Sequence, residues 1–364
     1  MSDRNLAGGA AAGPCGEPSL EAHGRRRTER RGKLRATVRG RIAVAAIAAA
    51  CALAVTAVLV PAGRGQAAAG KGAAEGRTQA PVGAAARRAP AEGPAGPRDD
   101  CSASLNPASG STDGAAVARI RARGRLLVGV DQNSYLWGFR DPATGRLAGF
   151  DIDIVKAIAQ DVLGDSSKVQ YLTVPTSQRI QAITDHRVDM VVRTMTVNCA
   201  RAAQVAFSVP YFTAGQQLLT AKDSPVTGFD DSLKGRRVCT AKGSTGQSAL
   251  DAAPHGARIL ALDNQLDCLV RLQLGQADAV FTDNALAAGQ AAQDPTTHLV
   301  GQPVTREPYG VAMNLADDDL VRRVNQVLAQ YESGGADSAW MQSYRTWLAK
   351  ELPGITGPPA PVYR

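Results

Sequence analysis

The chain has 364 residues, 44% of them hydrophobic and 20% charged, with a formal net charge of +8. The charge is uneven: the first 41 residues carry ten Lys/Arg against four Asp/Glu, and the remainder is close to neutral. That distribution excludes a polyanion-binding surface, and with it nucleic acid as a partner.

Residues 1–41 form a basic tail. Ile42 to Val60 follow as an uncharged apolar run with a single Thr. As a helix the run spans about 28 Å, close to the thickness of a bilayer core. Arginines crowd its N-terminal side, among them Arg25, Arg26, Arg27, Arg30, Arg31, Arg35, Arg39 and Arg41. The positive-inside rule then predicts residues 1–41 in the cytoplasm and everything after residue 61 outside. An uncleaved anchor fits best. A long cleaved signal, or a lipoprotein processed at Cys51, would place the rest of the chain on the same side. The expected location is the cell membrane, with an extracellular binding domain.

The six cysteines divide along the same line. Cys15 falls in the tail and Cys51 in the apolar run, leaving Cys101, Cys199, Cys239 and Cys268 in the exported part. An oxidising compartment predicts two disulfides, with three connectivities open. There is no C-x-x-C, and the histidines at 23, 186, 255 and 298 are scattered, so neither metal nor cofactor is expected. Residues 61–114, rich in Ala, Gly and Pro at their start, read as a disordered linker; its first forty residues alone would reach roughly 35 Å.

An alternating pattern begins near Ala115. "RLLVGVD" (125–131) reads as a buried strand. "GFDIDIVKAIAQDVLG" (149–164) reads as a helix capped by Asp151 and ended by Gly164. "KVQYLTV", "SQRIQAITDH" and "VDMVVRT" continue as strand, helix and strand. After "GQQLLTAK" a second series starts: "RRVCTA", "TGQSALDAA", "RILAL", "QLDCLVRLQLG", "DAVFTD" and "NALAAGQAAQD". "YGVAMN" and two helices, "DLVRRVNQVLAQYES" and "SAWMQSYRTWLA", close the chain. Strands alternating with helices predict two α/β units with largely parallel sheets.

Polar residues gather where strands end, which is where open α/β sheets bind ligands. "RTMTVNCAR" (193–201) sets Thr194 and Thr196 just past a strand and Arg201 in a short helix. A guanidinium grips a carboxylate through paired charge-assisted hydrogen bonds. "AKGSTG" (241–246) offers small residues and free N–H groups at a helix start, and its reversed Lys242-Gly243 order rules out a Walker P-loop. Asp283 ends "DAVFTD" as an acceptor for an ammonium, or as a cap for the next helix.

In this order the motifs resemble those of the extracellular solute-binding proteins for polar amino acids, family 3, which serve ABC importers. The resemblance runs from about residue 120 to 348 and looks nearest to the actinobacterial glutamate/aspartate type. It implies an α/β, type II periplasmic-binding-protein fold: two lobes joined by a two-strand hinge, behind the N-terminal transmembrane helix and linker. Lobe 1 would be 115–217 plus 312–348, lobe 2 would be 223–306, and 349–364 a flexible tail. By motif position, Arg201 would hold an amino acid's α-carboxylate, with Thr194 and Thr196 beside it. Asp283 would take the ammonium. Lys242, Thr245 and Gly246 would contact the ligand from lobe 2, and Arg179 would meet a side-chain carboxylate. The resemblance also pairs the cysteines within lobes, Cys101 with Cys199 and Cys239 with Cys268.

The implied function is that of an amino-acid-binding protein, a monomer, delivering glutamate or aspartate to an ABC permease. Some relatives belong instead with a kinase-linked membrane signalling system, and a few proteins of this fold are dehydratases. No nucleophile–base pair stands at the predicted cleft, so an enzyme is not expected. Three departures bear on side-chain specificity. Ala200 replaces the usual Glu, Arg193 stands where relatives have a small residue, and Ser134, Tyr135 and Trp137 leave the ligand-facing aromatic unassigned.

Overall fold

The computed structural model describes residues 100–364. The basic tail, the apolar segment 42–60 and the linker to residue 99 lie outside the described residues. Among the described residues no helix is long and apolar enough to cross a membrane.

Two five-stranded sheets form two lobes. In the first the order is Val169–Thr173, Leu126–Val130, Met190–Val191, Ala312–Met313, Ala206–Phe207. In the second it is Arg258–Leu262, Arg237–Ala241, Ala279–Asp283, Gln216–Ala221, Thr297–Val300. One strand in each runs against its neighbours: Ala312–Met313 in the first and Gln216–Ala221 in the second. These two strands directly follow the crossings between lobes. The crossings themselves are Phe212–Ala214 and Glu307–Tyr309, which pair antiparallel as the expected two-strand hinge. The type II two-lobe fold implied by the motifs is present. Its boundaries shift slightly: the chain leaves lobe 1 at Phe212–Ala214, so Gln216 belongs to lobe 2.

Strand alternation places a core on each face of each sheet. In lobe 2, Leu219, Cys239 and Val280 enter one cluster, while their neighbours Leu218, Val238 and Ala279 enter the other. Around the hinge the packing is aromatic. Trp137 meets Phe150, Phe212 and Tyr309 edge-on, and Phe150 meets Trp340. Both buried indole N–H groups are satisfied: Trp340 donates to the Tyr211 carbonyl at 2.8 Å, and Trp137 donates across the lobes to Ala285 at 3.0 Å. Leu320, Val321, Val324 and Leu328 of the helix Asp318–Glu332 are buried on one side, as their spacing predicts.

Two segments expected to be loose are docked. Residues 100–114, assigned by composition to the linker, form two short 3₁₀ turns and lie against lobe 1. The Ser104 hydroxyl donates to the Phe207 carbonyl at 2.6 Å, and Asn325 donates to Ser104 and to the Leu105 carbonyl, both at 2.8 Å. The expected flexible tail 349–364 packs Leu352, Ile355 and Tyr363 on the main core, and Tyr363 forms a β-bridge with Ser104. Each terminal segment thus supplies the other's backbone partners.

Both disulfides form within lobes, Cys101–Cys199 and Cys239–Cys268. The second closes a separation of 29 residues inside the lobe 2 core, where both cysteines are fully buried. The chain-entropy relation gives such a loop about 3.5 kcal/mol. Replacing Cys239 and Cys268 together by Ala is expected to lower the unfolding free energy by about that amount in denaturant titrations.

Candidate functional site

The carboxyl ends of the two sheets face each other across a narrow, nearly closed cleft. From lobe 1 it is lined by Thr176, Arg179, Thr194, Thr196 and Arg201. From lobe 2 come Gln216, Ser244, Thr245, Gln265, Thr282 and Asp283. Motifs read from the sequence therefore converge on one site, with two exceptions. Gly246 lies just behind Thr245 as packing, and Lys242 is exposed outside the cleft. The Lys242 expectation is corrected: the turn after Ala241 carries its side chain into solvent.

Arg201 sits on the short helix Cys199–Ala202, whose first turn is capped by Asn198. The residue is only 9% exposed. Nη1 donates to the Thr196 carbonyl at 2.8 Å, and Nη2 donates across the cleft to the Gly243 carbonyl at 3.2 Å. Arg179 is buried as well. Its Nε donates to the Thr176 carbonyl at 2.9 Å and its Nη1 to the Arg193 carbonyl at 3.4 Å. Burial pulls both guanidinium pKa values down, and for Arg179 the cations Arg201 and Arg193 add to that. Among the described residues no carboxylate lies within salt-bridge distance of either.

Thr194 has a left-handed backbone, φ 43°, which costs a β-branched residue strain. Its N–H is held at 3.1 Å by Asp151, which also accepts from the Tyr211 hydroxyl at 2.8 Å. Asp151 therefore does not cap its helix: Gly149 occupies that position and the carboxyl turns inward. Burial pushes Asp151 up to about 7, against the pull of the Tyr211 and Thr194 hydrogen bonds.

In lobe 2, Asp283 heads the helix Asn284–Gln293 without capping it. Its carboxyl accepts from the Tyr309 hydroxyl at 2.6 Å and from the Gln216 amide. Burial, then the nearby Glu307, pushes Asp283 up to about 7; Tyr309, Arg201 and Arg179 pull the other way. Thr245 donates to Glu307 at 2.8 Å and accepts from Gln216 at 3.1 Å. A Cβ on Gly246 would fall 2.7 Å from the Gln216 Oε1, so the helix start can approach only as glycine. Gly243 has φ 73°, and a Cβ there would lie 3.0 Å from the Ser177 Cα across the cleft.

Sequence reasoning missed Thr176, Gln216, Ser244, Gln265 and Thr282. Gln216 left a usable signal: it is the inward position, two before Leu218, in an alternating strand. Of the unassigned aromatics, Trp137 is wholly in the core, and the Tyr135 carbonyl abuts Gly289 of lobe 2.

The sequence profile of the bacterial extracellular solute-binding proteins, family 3, matches residues 126–350. The chain is 36% identical to the ABC transporter glutamine-binding protein GlnH of Bacillus subtilis over 236 residues, covering 65% of this chain and 85% of that one. It is 27% identical to the glutamate-binding protein GluB of Corynebacterium efficiens, covering 64% and 83%. Among solved structures it resembles an ancestral arginine-binding protein bound to glutamine, with a TM-score of 0.57 and 33% identity over 62% of this chain and 98% of that one.

The raised Asp151 value has a stability consequence. The folded state keeps a proton that the unfolded chain, with its ordinary carboxylate at 3.8, releases. Stabilisation from this group is whole below about pH 4 and is lost as pH rises through about 7. Denaturant unfolding across that window is expected to show stability falling with pH, with a shallower fall in Asp151→Asn.

Proposed function

The chain belongs to the bacterial extracellular solute-binding proteins, family 3, and on that premise we propose that it binds an acidic amino acid, glutamate or aspartate, between its lobes. The observation that carries this reading is the pair of buried guanidinium groups, Arg179 and Arg201, that face the cleft without a carboxylate partner. Asp283 is the only acidic residue among the lining residues. A zwitterion would match Asp283 and one arginine. A second carboxylate is needed to match the other, because an unpaired buried cation is costly.

In this reading Arg201 and Thr196 hold the α-carboxylate, and Thr194 and Thr245 offer hydroxyls beside it. Asp283 takes the ammonium, which favours its ionised form. Arg179, reaching in from behind Thr176, takes the side-chain carboxylate. Contacts from both lobes are complete only when the lobes meet, so the ligand favours the closed arrangement. The protein would act outside the cell, held to the membrane by residues 42–60, and pass its ligand to an ABC importer.

Glutamine is the second reading. The Gln265 Oε1 is buried beside the cleft without a donor, and a ligand amide would supply one. The relative named for glutamine adds support.

Calorimetry with Glu, Asp, Gln and Asn separates the two. Dissociation constants for Glu or Asp below about 100 μM, tighter than for their amides, are expected. Preference for Gln would replace the first reading with the second, and absence of binding to all four would sink both. Arg201→Ala is expected to weaken binding at least about 100-fold, since it strips a buried charge partner from the ligand. Unchanged affinity in that variant would show that the carboxylate sits elsewhere.

A further inference from the structure

Arg193 is 1% exposed, among the largest fully buried side chains, and does not line the cleft. Its Nη2 lies 2.8 Å from the Asp131 Oδ2, and Asp131 is itself 3% exposed. The contact is one of charge more than of directed hydrogen bonding, because Nε and Nη2 find no aligned acceptor. Asp131 is already satisfied locally. It accepts from the N–H groups of Gln132 and Asn133 at 2.8 and 3.1 Å and from the Ser134 hydroxyl at 2.7 Å. The loop geometry after the strand Leu126–Val130 therefore does not require Arg193. What Arg193 adds is a positive charge next to a buried negative one.

Its other contacts lead to Arg179. Arg193 Nη1 donates to the Thr176 hydroxyl at 2.8 Å. The carbonyls of Thr176 and of Arg193 itself receive the Arg179 guanidinium. Asp131 attracts Arg179 and Arg193 repels it. Within lobe 1, Asp131 is thus a buried acid that could draw Arg179 away from the cleft or offer a site to a cationic ligand.

We propose that Arg193 is a positioning residue that sets the charge preference of the cleft: it neutralises Asp131 and so leaves Arg179 free to meet a ligand carboxylate. The inference rests on the acidic-amino-acid reading above and deepens it. It also gives the departure at position 193 a physical purpose, since a small residue there would leave Asp131 facing Arg179.

The test is calorimetry on the intact protein with Glu, Gln and Arg. Arg193→Met removes the charge at similar length. It is expected to lower the ratio of Glu to Gln affinity at least about tenfold, while Arg193→Lys keeps the ratio. The double variant Asp131→Asn/Arg193→Met, with neither charge, is expected to recover the wild-type ratio. A purely structural role would weaken all ligands in proportion, and that result overturns the proposal. So does a double variant whose ratio stays low. If Arg193→Met fails to fold, the double variant carries the test on the same criterion, because it leaves neither member of the Asp131–Arg193 pair behind as a charge without its partner. If the wild type prefers Gln, the acidic reading fails on its own. The inference is then read in the ratio of Gln to Arg affinity, which Arg193→Met must shift toward Arg.

Discussion

A guanidinium moved out of water loses several kcal/mol of hydration unless carbonyls, hydroxyls or an anion replace it. Three such groups, Arg179, Arg193 and Arg201, are buried at one sheet edge of lobe 1. Arg193 has Asp131. The other two rest on carbonyls: Thr176 and Arg193 for Arg179, Thr196 and Gly243 for Arg201. Neutral dipoles go only part of the way. The remaining deficit lies inside the cleft, where an anion can cancel it. One of the supporting carbonyls, Gly243, comes from lobe 2, so the meeting of the lobes and the solvation of Arg201 are a single event.

The hinge takes part in the same electrostatics. Tyr211 immediately precedes one crossing and Tyr309 ends the other, and the Tyr211 N–H donates to the Tyr309 carbonyl at 2.8 Å. Their hydroxyls point opposite ways, Tyr211 to Asp151 in lobe 1 and Tyr309 to Asp283 in lobe 2. Each lobe's buried acid is therefore tied to the crossing that would bend. Thr196 adds a third tie, through its bridge with Tyr309. The aromatic layer of Trp137, Phe150, Phe212 and Trp340 packs against the hinge.

Much of this was legible in the chain. Regular strand–helix alternation gives the lobes, and polar residues at strand ends give Arg201, Thr196 and Asp283. What escaped did so for physical reasons. Asp151 has the residue type and position of a helix cap, and only the tertiary approach of Tyr211 and Thr194 turns it inward. Lys242 follows a strand like its neighbours, but one turn of backbone sends it to solvent. Arg193 looked like an anomaly because its partner lies 62 positions earlier, at the end of another strand. The segments 100–114 and 349–364 read as loose from composition, and they order by pairing with each other, which no local pattern encodes.

The two disulfides are consecutive along the chain: Cys101 pairs with Cys199 before Cys239 and Cys268 begin. A polypeptide that emerges N-terminus first presents its thiols in that same order. When Cys199 appears, Cys101 is the only earlier thiol of the four, and Cys268 likewise follows the one thiol left unpaired. First-come pairing therefore reaches the native connectivity without reshuffling. When Cys268 appears, lobe 1 still lacks the strand Ala312–Met313, its C-terminal helices and the docked tail, all of which follow lobe 2 in the sequence. Lobe 2, an insertion in the sequence, is thus the part that can finish folding first.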